Sequence, residues 1–247
     1  MSDIIGLQLY TVRDETAKDF TQTIRRVAEI GYGGVEFAGY GNLSAREMAA
    51  LLAETDLRAI GTHVGFEALE ANLDDEINYC LEIGCTFLVI PYLNPQYRSG
   101  DGFKRFVERV NEWGQHSKAR GVTLGYHNHD FEFAADPEGL FIERLLAATN
   151  PDTLQLELDT FWVAFAGADP LAFIKKHAGR FGSLHLKDMT PDRKFTEVGD
   201  GILDIAGFIE AARQGGTHNF LVENDQPEVP SLESARRSFE NLHRSLT

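Results

Sequence analysis

The sequence predicts a single-domain (β/α)8 TIM barrel over residues 1–247, and three observations carry that expectation. Eight short β-rich runs alternate with helical patterns from end to end, and eight parallel strands is the number that closes such a barrel. No Pro/Ser-rich linker or low-complexity stretch interrupts the alternation. Along the strand runs a small residue precedes a polar one on the same face, and the polar one lies towards the C-terminal end, where barrel enzymes gather their chemistry.

The strand runs are IIGLQLY, GGVEFAG, LRAIGTHV, TFLVIPYL, GVTLGYHNH, TLQLELDTF, GSLHLKD and NFLVEND. Between them stand helical patterns such as FTQTIRRVAEIG, AREMAALLAET, LDDEINYCLEIG and FKRFVERVNEWGQHSKARG. Gly31, Gly84 and Gly121 each fall just before a strand, where a helix C-terminus favours glycine. Residues two apart share a strand face, so Gly6 pairs with Gln8, Gly34 with Glu36, Gly61 with His63, Gly125 with His127 and His129, and Ser183 with His185 and Lys187. The opposite faces carry Leu7, Val35, Phe37, Leu184 and Leu186, suited to a helix layer. An open doubly wound sheet is the runner-up, but its glycine-rich turn after the first strand is missing.

Composition narrows the function classes. The balance of 43% hydrophobic and 25% charged residues is that of an ordinary globular protein, and the chain is long enough to bury a large core. A formal net charge of −15 repels phosphate backbones and anionic lipid, which disfavours nucleic-acid and membrane roles. The N-terminus lacks a signal-peptide pattern and no apolar run reaches eighteen residues. Cys80 and Cys85, without neighbouring histidines, read as buried free thiols. A cytoplasmic protein is expected, acting on a small molecule, with a homo-oligomer left open.

The strand-end polar residues are Gln8, Glu36, His63, His127, His129, Asp159, His185, Lys187 and Glu223. Imidazoles and carboxylates converging in a barrel mouth need a compensating cation, because buried charges are costly unpaired. One divalent ion of the Mn, Co, Zn or Mg kind meets that need, and a mixed nitrogen and oxygen set leaves positions open for substrate.

The segments IGLQLYTVRD, GYGGVEFAGY, YHNHDFEF, LELDTFWV, SLHLKDM, TEVGDGILD and FLVEND together resemble the sugar phosphate isomerase/epimerase group of xylose isomerase-like TIM barrels, whose relatives include inosose dehydratase, hydroxypyruvate isomerase and ketose 3-epimerases. The resemblance covers essentially the whole chain. It implies metal ligands at the ends of the fifth to eighth strands, onto which His127, Asp159, His185 and Glu223 fall. Many relatives read Glu-Asn-His on the fifth strand where this chain reads His127-Asn128-His129. An imidazole there suits general acid or base work near neutral pH, so His127, His129 and Glu223 are the candidate catalytic groups. The strand-end groups Gln8, Glu36, His63 and Lys187 are candidate substrate contacts, as is Trp162 just past Asp159, and the resemblance to ketose epimerases adds Glu132.

The expected activity is that of a sugar or keto-sugar isomerase or epimerase, which abstracts a proton α to a carbonyl and passes through a metal-stabilised enediolate. The alternative is a dehydratase or lyase on an inosose or 3-keto-sugar, towards which the histidine-rich fifth strand leans. An abasic-site endonuclease and a non-catalytic sugar-binding barrel are further readings. The acidic charge opposes the first, and the assembled acid, base and ligand set opposes the second.

Plainer roles stand beside these. Glu36 reads equally as a structural partner for a cation such as Lys187, Glu157 as a hydrogen-bond partner one layer below Asp159, and Trp162 as core. Glu132 also reads as a surface residue closing a loop. His116, His177, His218 and His243 are expected in solvent, and GDGILD as a loop entering a helix, since it lacks the Lys and Ser/Thr of a phosphate loop.

Overall fold

Eight parallel strands close on themselves in the computed structural model, which describes residues 3–246. They are β1 (Ile4–Gln8), β2 (Gly34–Phe37), β3 (Arg58–His63), β4 (Phe87–Ile90), β5 (Thr123–His127), β6 (Leu154–Asp159), β7 (Phe181–Leu186) and β8 (Asn219–Val222). Each pairs with its neighbour in sequence, and β8 pairs with β1 through Ile4↔Asn219 to Leu7↔Val222. The (β/α)8 barrel expected from the sequence is the fold.

The eight outer helices are α1 (Phe20–Ile30), α2 (Ala45–Thr55), α3 (Phe66–Glu82), α4 (Gly100–Ala119), α5 (Phe141–Ala148), α6 (Pro170–Lys176), α7 (Ile205–Gln214) and α8 (Ser231–Leu246). Their starts follow from capping chemistry. The Asp19 carboxylate accepts from the Gln22 N–H, and Ser44 and Glu47 form a reciprocal capping box. Asp169 caps the Leu171 and Ala172 N–H groups ahead of Pro170. Gly31, Gly84 and Gly121 adopt φ of 116°, 72° and 90°, the left-handed geometry expected after a helix. The apolar strand faces meet the helices in one continuous core that includes Leu7, Val35, Phe37, Tyr126, Leu156 and Leu184.

Two features depart from the sequence reading. Helix α3 begins at Phe66, well before LDDE, because Asn72 (φ −141°, ψ 32°) joins two helical stretches across a kink. The strands also stop sooner than their β-rich runs, so that His129, Lys187 and Glu223 stand just beyond strand ends. Register shifts at Val35/Glu36 against β3 and at Leu156/Glu157 against β7 each insert one extra residue. Such bulges re-aim side chains at a barrel rim.

Candidate active site

The strand ends bring the polar residues to one mouth, in two layers. In the deeper layer lie Gln8, Glu36, His63 and Glu157. Gln8 Nε2 donates to Glu36 Oε2 at 2.7 Å, and that oxygen also meets His185 Nε2 at 2.7 Å and His63 Nε2 at 3.2 Å. Glu157 Oε2 meets His63 Nε2 at 2.6 Å, His185 Nε2 at 3.1 Å and His127 Nδ1 at 3.2 Å, while Ser183 Oγ donates to its other oxygen. Gly61 makes this possible, since a Cβ there would stand 2.3 Å from Glu36 Oε1. Glu36 therefore partners His63, His185 and Gln8 rather than Lys187.

In the upper layer His185 Nδ1 lies 2.8 Å from Glu223 Oε2, and His127 Nε2 lies 3.7 Å from Asp159 Oδ2. Lys187 Nζ sits among three carboxylates, 2.9 Å from Asp159, 2.8 Å from Glu223 and 2.9 Å from Asp225. Asn128 fixes the neighbouring strand end, accepting from the Asp159 N–H and donating to the Asp159 carbonyl. Asp159 Oδ1 caps the Trp162 N–H, which turns Oδ2 towards the mouth. Trp162 itself is half-buried beside His129, with its Nε1 unpartnered.

Charge explains the titration behaviour of these groups. Burial alone would lower the His63 imidazole, but the facing Glu36 and Glu157 carboxylates overturn this and raise it to about 10. His185 is pushed the same way against burial by the same two carboxylates. Burial holds His127 neutral, and burial with the Lys187 ammonium lowers His129 to about 3. Burial, then Glu223, raises the Asp225 carboxyl to about 7.

A cavity of about 640 Å3 opens above this cluster, a size suited to a small ligand. His63, His127, His129, Lys187 and Glu223 line it. Gln8 and Glu36 lie beneath and are fully buried. Glu132 is not at the cavity: its carboxylate is buried in place, accepting from Tyr126 Oη at 2.7 Å and from the His129 N–H at 2.8 Å. It pins the loop that presents His129 rather than closing a loop on the surface. Tyr10, Arg13, Tyr92, Asp225 and Gln226 also line the cavity and were not singled out from the sequence. Tyr10 and Arg13 stand in the IGLQLYTVRD segment, Tyr92 in TFLVIPYL and Asp225 at the end of FLVEND. Arg98 stacks on Phe131, its guanidinium carbon 3.4 Å from the ring centre.

The glycine-rich loop after β7 closes around a carboxylate of the chain itself. Asp188 accepts from the N–H groups of Met189, Gly199, Gly201 and Leu203. A Cβ at Gly201 would stand 2.1 Å from its Oδ1. The backbone donors that a phosphate would need are thus occupied. Away from the mouth, His116 is exposed beside Asp74, but His177 is only 14% exposed, packed on Phe173 and facing Glu143. His218 contacts Asp3.

The donor set fits a divalent cation. Asp159, His185 and Glu223 each offer a ligand atom, these atoms lying within 4.8 Å of one another. Asp159 Oδ2 is buried and makes no hydrogen bond of sound geometry, although Lys187 stands near it.

Comparison with known proteins places the fold in a family. The family described as "Xylose isomerase-like TIM barrel" matches residues 24–244. The chain belongs to that family. It is 26% identical to the inosose dehydratase of Mesomycoplasma hyopneumoniae (strain J), over 90% of this chain and 87% of that one. The barrel superposes on a sugar phosphate isomerase/epimerase from Parabacteroides distasonis with a TM-score of 0.86 at 23% identity, covering 98% of both chains. It superposes on the IolI protein, whose structure holds a zinc atom, with a TM-score of 0.75 at 14% identity, covering 98% of this chain and 97% of that one. Dehydratases and epimerases are thus among its relatives. Among the described residues no helix is long and apolar enough to cross a membrane.

Proposed function

We propose that this chain is a divalent-metal-dependent dehydratase acting on a polyhydroxylated ketone of the sugar or cyclitol class. One observation carries the reading. The mouth sets an imidazole, His129, with an unpartnered buried Nδ1, together with a carboxylate, Glu223, that is bound to Lys187. Two facing carboxylates suit proton exchange at one carbon, whereas an unlike base and acid suit elimination, which removes a proton and then a hydroxyl group. The sequence likeness to inosose dehydratase supports the same reading.

His127, Asp159, His185 and Glu223 would hold the ion, which when bound supplies Lewis-acid polarisation of a carbonyl oxygen. Glu36 accepts from the far nitrogen of His185 and so fixes that ring, while Glu157 faces the far nitrogen of His127 at 3.2 Å. The neutral His129 or the Glu223 carboxylate takes the α-proton as a carbon–carbon double bond forms. That proton, or one from the Lys187 ammonium beside Glu223, passes to the departing β-hydroxyl, releasing an unsaturated ketone and water. The aromatic faces of Tyr10 and Tyr92, which line the cavity, suit the apolar face of a sugar ring, with Trp162 set back beside His129. Buried free Cys80 and Cys85 are in keeping with a reducing cytoplasm.

A second reading is isomerisation or epimerisation after the same first step. It is favoured by the Lys187 ammonium, a further proton donor beside Glu223. Incubating the metal-loaded protein with inososes, 3-keto-glycosides and ketohexoses separates the two. Dehydration gives a conjugated ketone seen by its ultraviolet absorbance, and its absence together with a new stereoisomer by NMR would favour the second reading.

A further inference from the structure

His127 and His185 each face two different clusters with their two ring nitrogens. Nε2 of His127 and Nδ1 of His185 look up to Asp159 and Glu223. Nδ1 of His127 and Nε2 of His185 look down to Glu157, and Nε2 of His185 also meets Glu36. On that lower side His63 Nε2 joins them, 2.6 Å from Glu157 and 3.2 Å from Glu36. Ligand atoms of His63, His127, Glu157 and His185 all lie within 4.8 Å of one another. His127 is 3% exposed, and its Nδ1 has no hydrogen-bond partner although Glu157 Oε2 is 3.2 Å away. A buried ring nitrogen left without a bond is costly unless something binds it.

We propose that this lower cluster is a second metal seat, formed by His63, His127, His185 and Glu157, which competes with the upper seat for one ion. Three nitrogens and a carboxylate are the donor set of a tetrahedral zinc site, with nitrogen and oxygen ligands at about 2.0–2.2 Å. The upper seat has two nitrogens and two carboxylates beneath the open cavity. A neutral imidazole offers one lone-pair nitrogen and carries hydrogen on the other. An ion above needs Nε2 of His127 and Nδ1 of His185, whereas an ion below needs the opposite atom of each ring. The two seats are therefore exclusive, and a nitrogen-preferring ion is drawn to the lower one. Only the upper seat rests on the proposed function; the lower one stands on its own geometry.

The test compares zinc and manganese binding by the full chain and by Asp159→Asn/Glu223→Gln, which removes both upper carboxylates. Calorimetric titration and elemental analysis give affinity and stoichiometry, and circular dichroism checks folding. The unsubstituted chain is expected to saturate at one zinc. The double variant should retain one zinc while losing manganese, and adding His63→Gln to it should weaken zinc about tenfold or more. A double variant that is folded yet binds no zinc overturns the lower seat while leaving the upper one standing. Two zinc ions per unsubstituted chain would overturn the exclusion, and no ion of either kind would overturn both seats. If the double variant does not fold, anomalous diffraction from the unsubstituted chain in excess zinc decides: a peak bounded by His63 and Glu157 supports the seat, and a peak confined to Asp159 and Glu223 overturns it.

Discussion

Replacing Lys187 by Met removes the ammonium that sits among Asp159, Glu223 and Asp225 while keeping most of the side-chain volume. Lys187 is 2% exposed, and its three carboxylate contacts all lie within 2.9 Å. Breaking a buried ion pair by deleting one partner costs about 3–5 kcal/mol, because the remaining charge is left uncompensated. Unfolding entropy of about 2.1 cal/mol/K per residue over 247 residues gives about 0.5 kcal/mol/K. In the presence of chelator, Tm should therefore fall by about 6–10 °C. A divalent ion at about a hundred times its Kd returns about 2.7 kcal/mol, or about 5 °C. The variant should gain at least as much from the ion as the unsubstituted chain does, because the ion no longer displaces a resident cation. Scanning calorimetry with chelator and then with manganese measures both shifts. A chelated Lys187→Met that melts within about 2 °C of the unsubstituted chain would refute the reasoning, showing that Lys187 does not hold these carboxylates.

Further outcomes follow from the same geometry. His129→Gln should leave metal content unchanged and lower kcat by about two to four orders of magnitude, whereas His127→Gln should lower metal affinity in elemental analysis. If both variants keep metal and turnover, the imidazoles are structural. In chelator, stability should decline as pH rises from about 6.5 to about 10. The folded His63 pKa lies above the unfolded one, so the folded state binds more protons there and loses that advantage as His63 deprotonates. Denaturant titrations across that range should show the decline, and His63→Gln should make it shallower, leaving the share that His185 contributes. Metal affinity should rise with pH, since Glu157 and Glu36 favour the doubly protonated His185 ring and an ion at Nδ1 displaces the proton there. Titration calorimetry in buffers of different ionisation enthalpy would detect that proton, and an affinity independent of pH would count against His185 as ligand.

The barrel was legible because its signals are local. Alternation of strand and helix patterns, and glycines such as Gly31 and Gly121 ahead of strands, require no tertiary knowledge. The inward faces of Gln8, Glu36, His63, His127, Asp159 and His185 followed from two-residue periodicity, and the structure gathers these side chains at one mouth. That periodicity fails where the strand stops. Glu132, five residues beyond His127, is locked behind the loop by Tyr126 and the His129 N–H. Tyr10 reaches the cavity because the chain turns into a 3-10 helix at Leu9, and Asp225, beyond the end of β8, is held there by the Lys187 ammonium. The two faces of His127 and His185 depend on ring orientation, which no sequence pattern records. The early start of α3 was hidden by the kink at Asn72.

Proton abstraction next to a carbonyl by an ion-loaded site is the central claim. The direct measurement is NMR of an inosose incubated in deuterium oxide with the manganese-loaded chain, alongside Asp159→Ala. The expected result is α-proton loss with the unsaturated ketone accumulating, together with neither metal uptake nor turnover in the variant. Turnover that survives in Asp159→Ala with full metal content, or product formed with the α-proton retained, would contradict it.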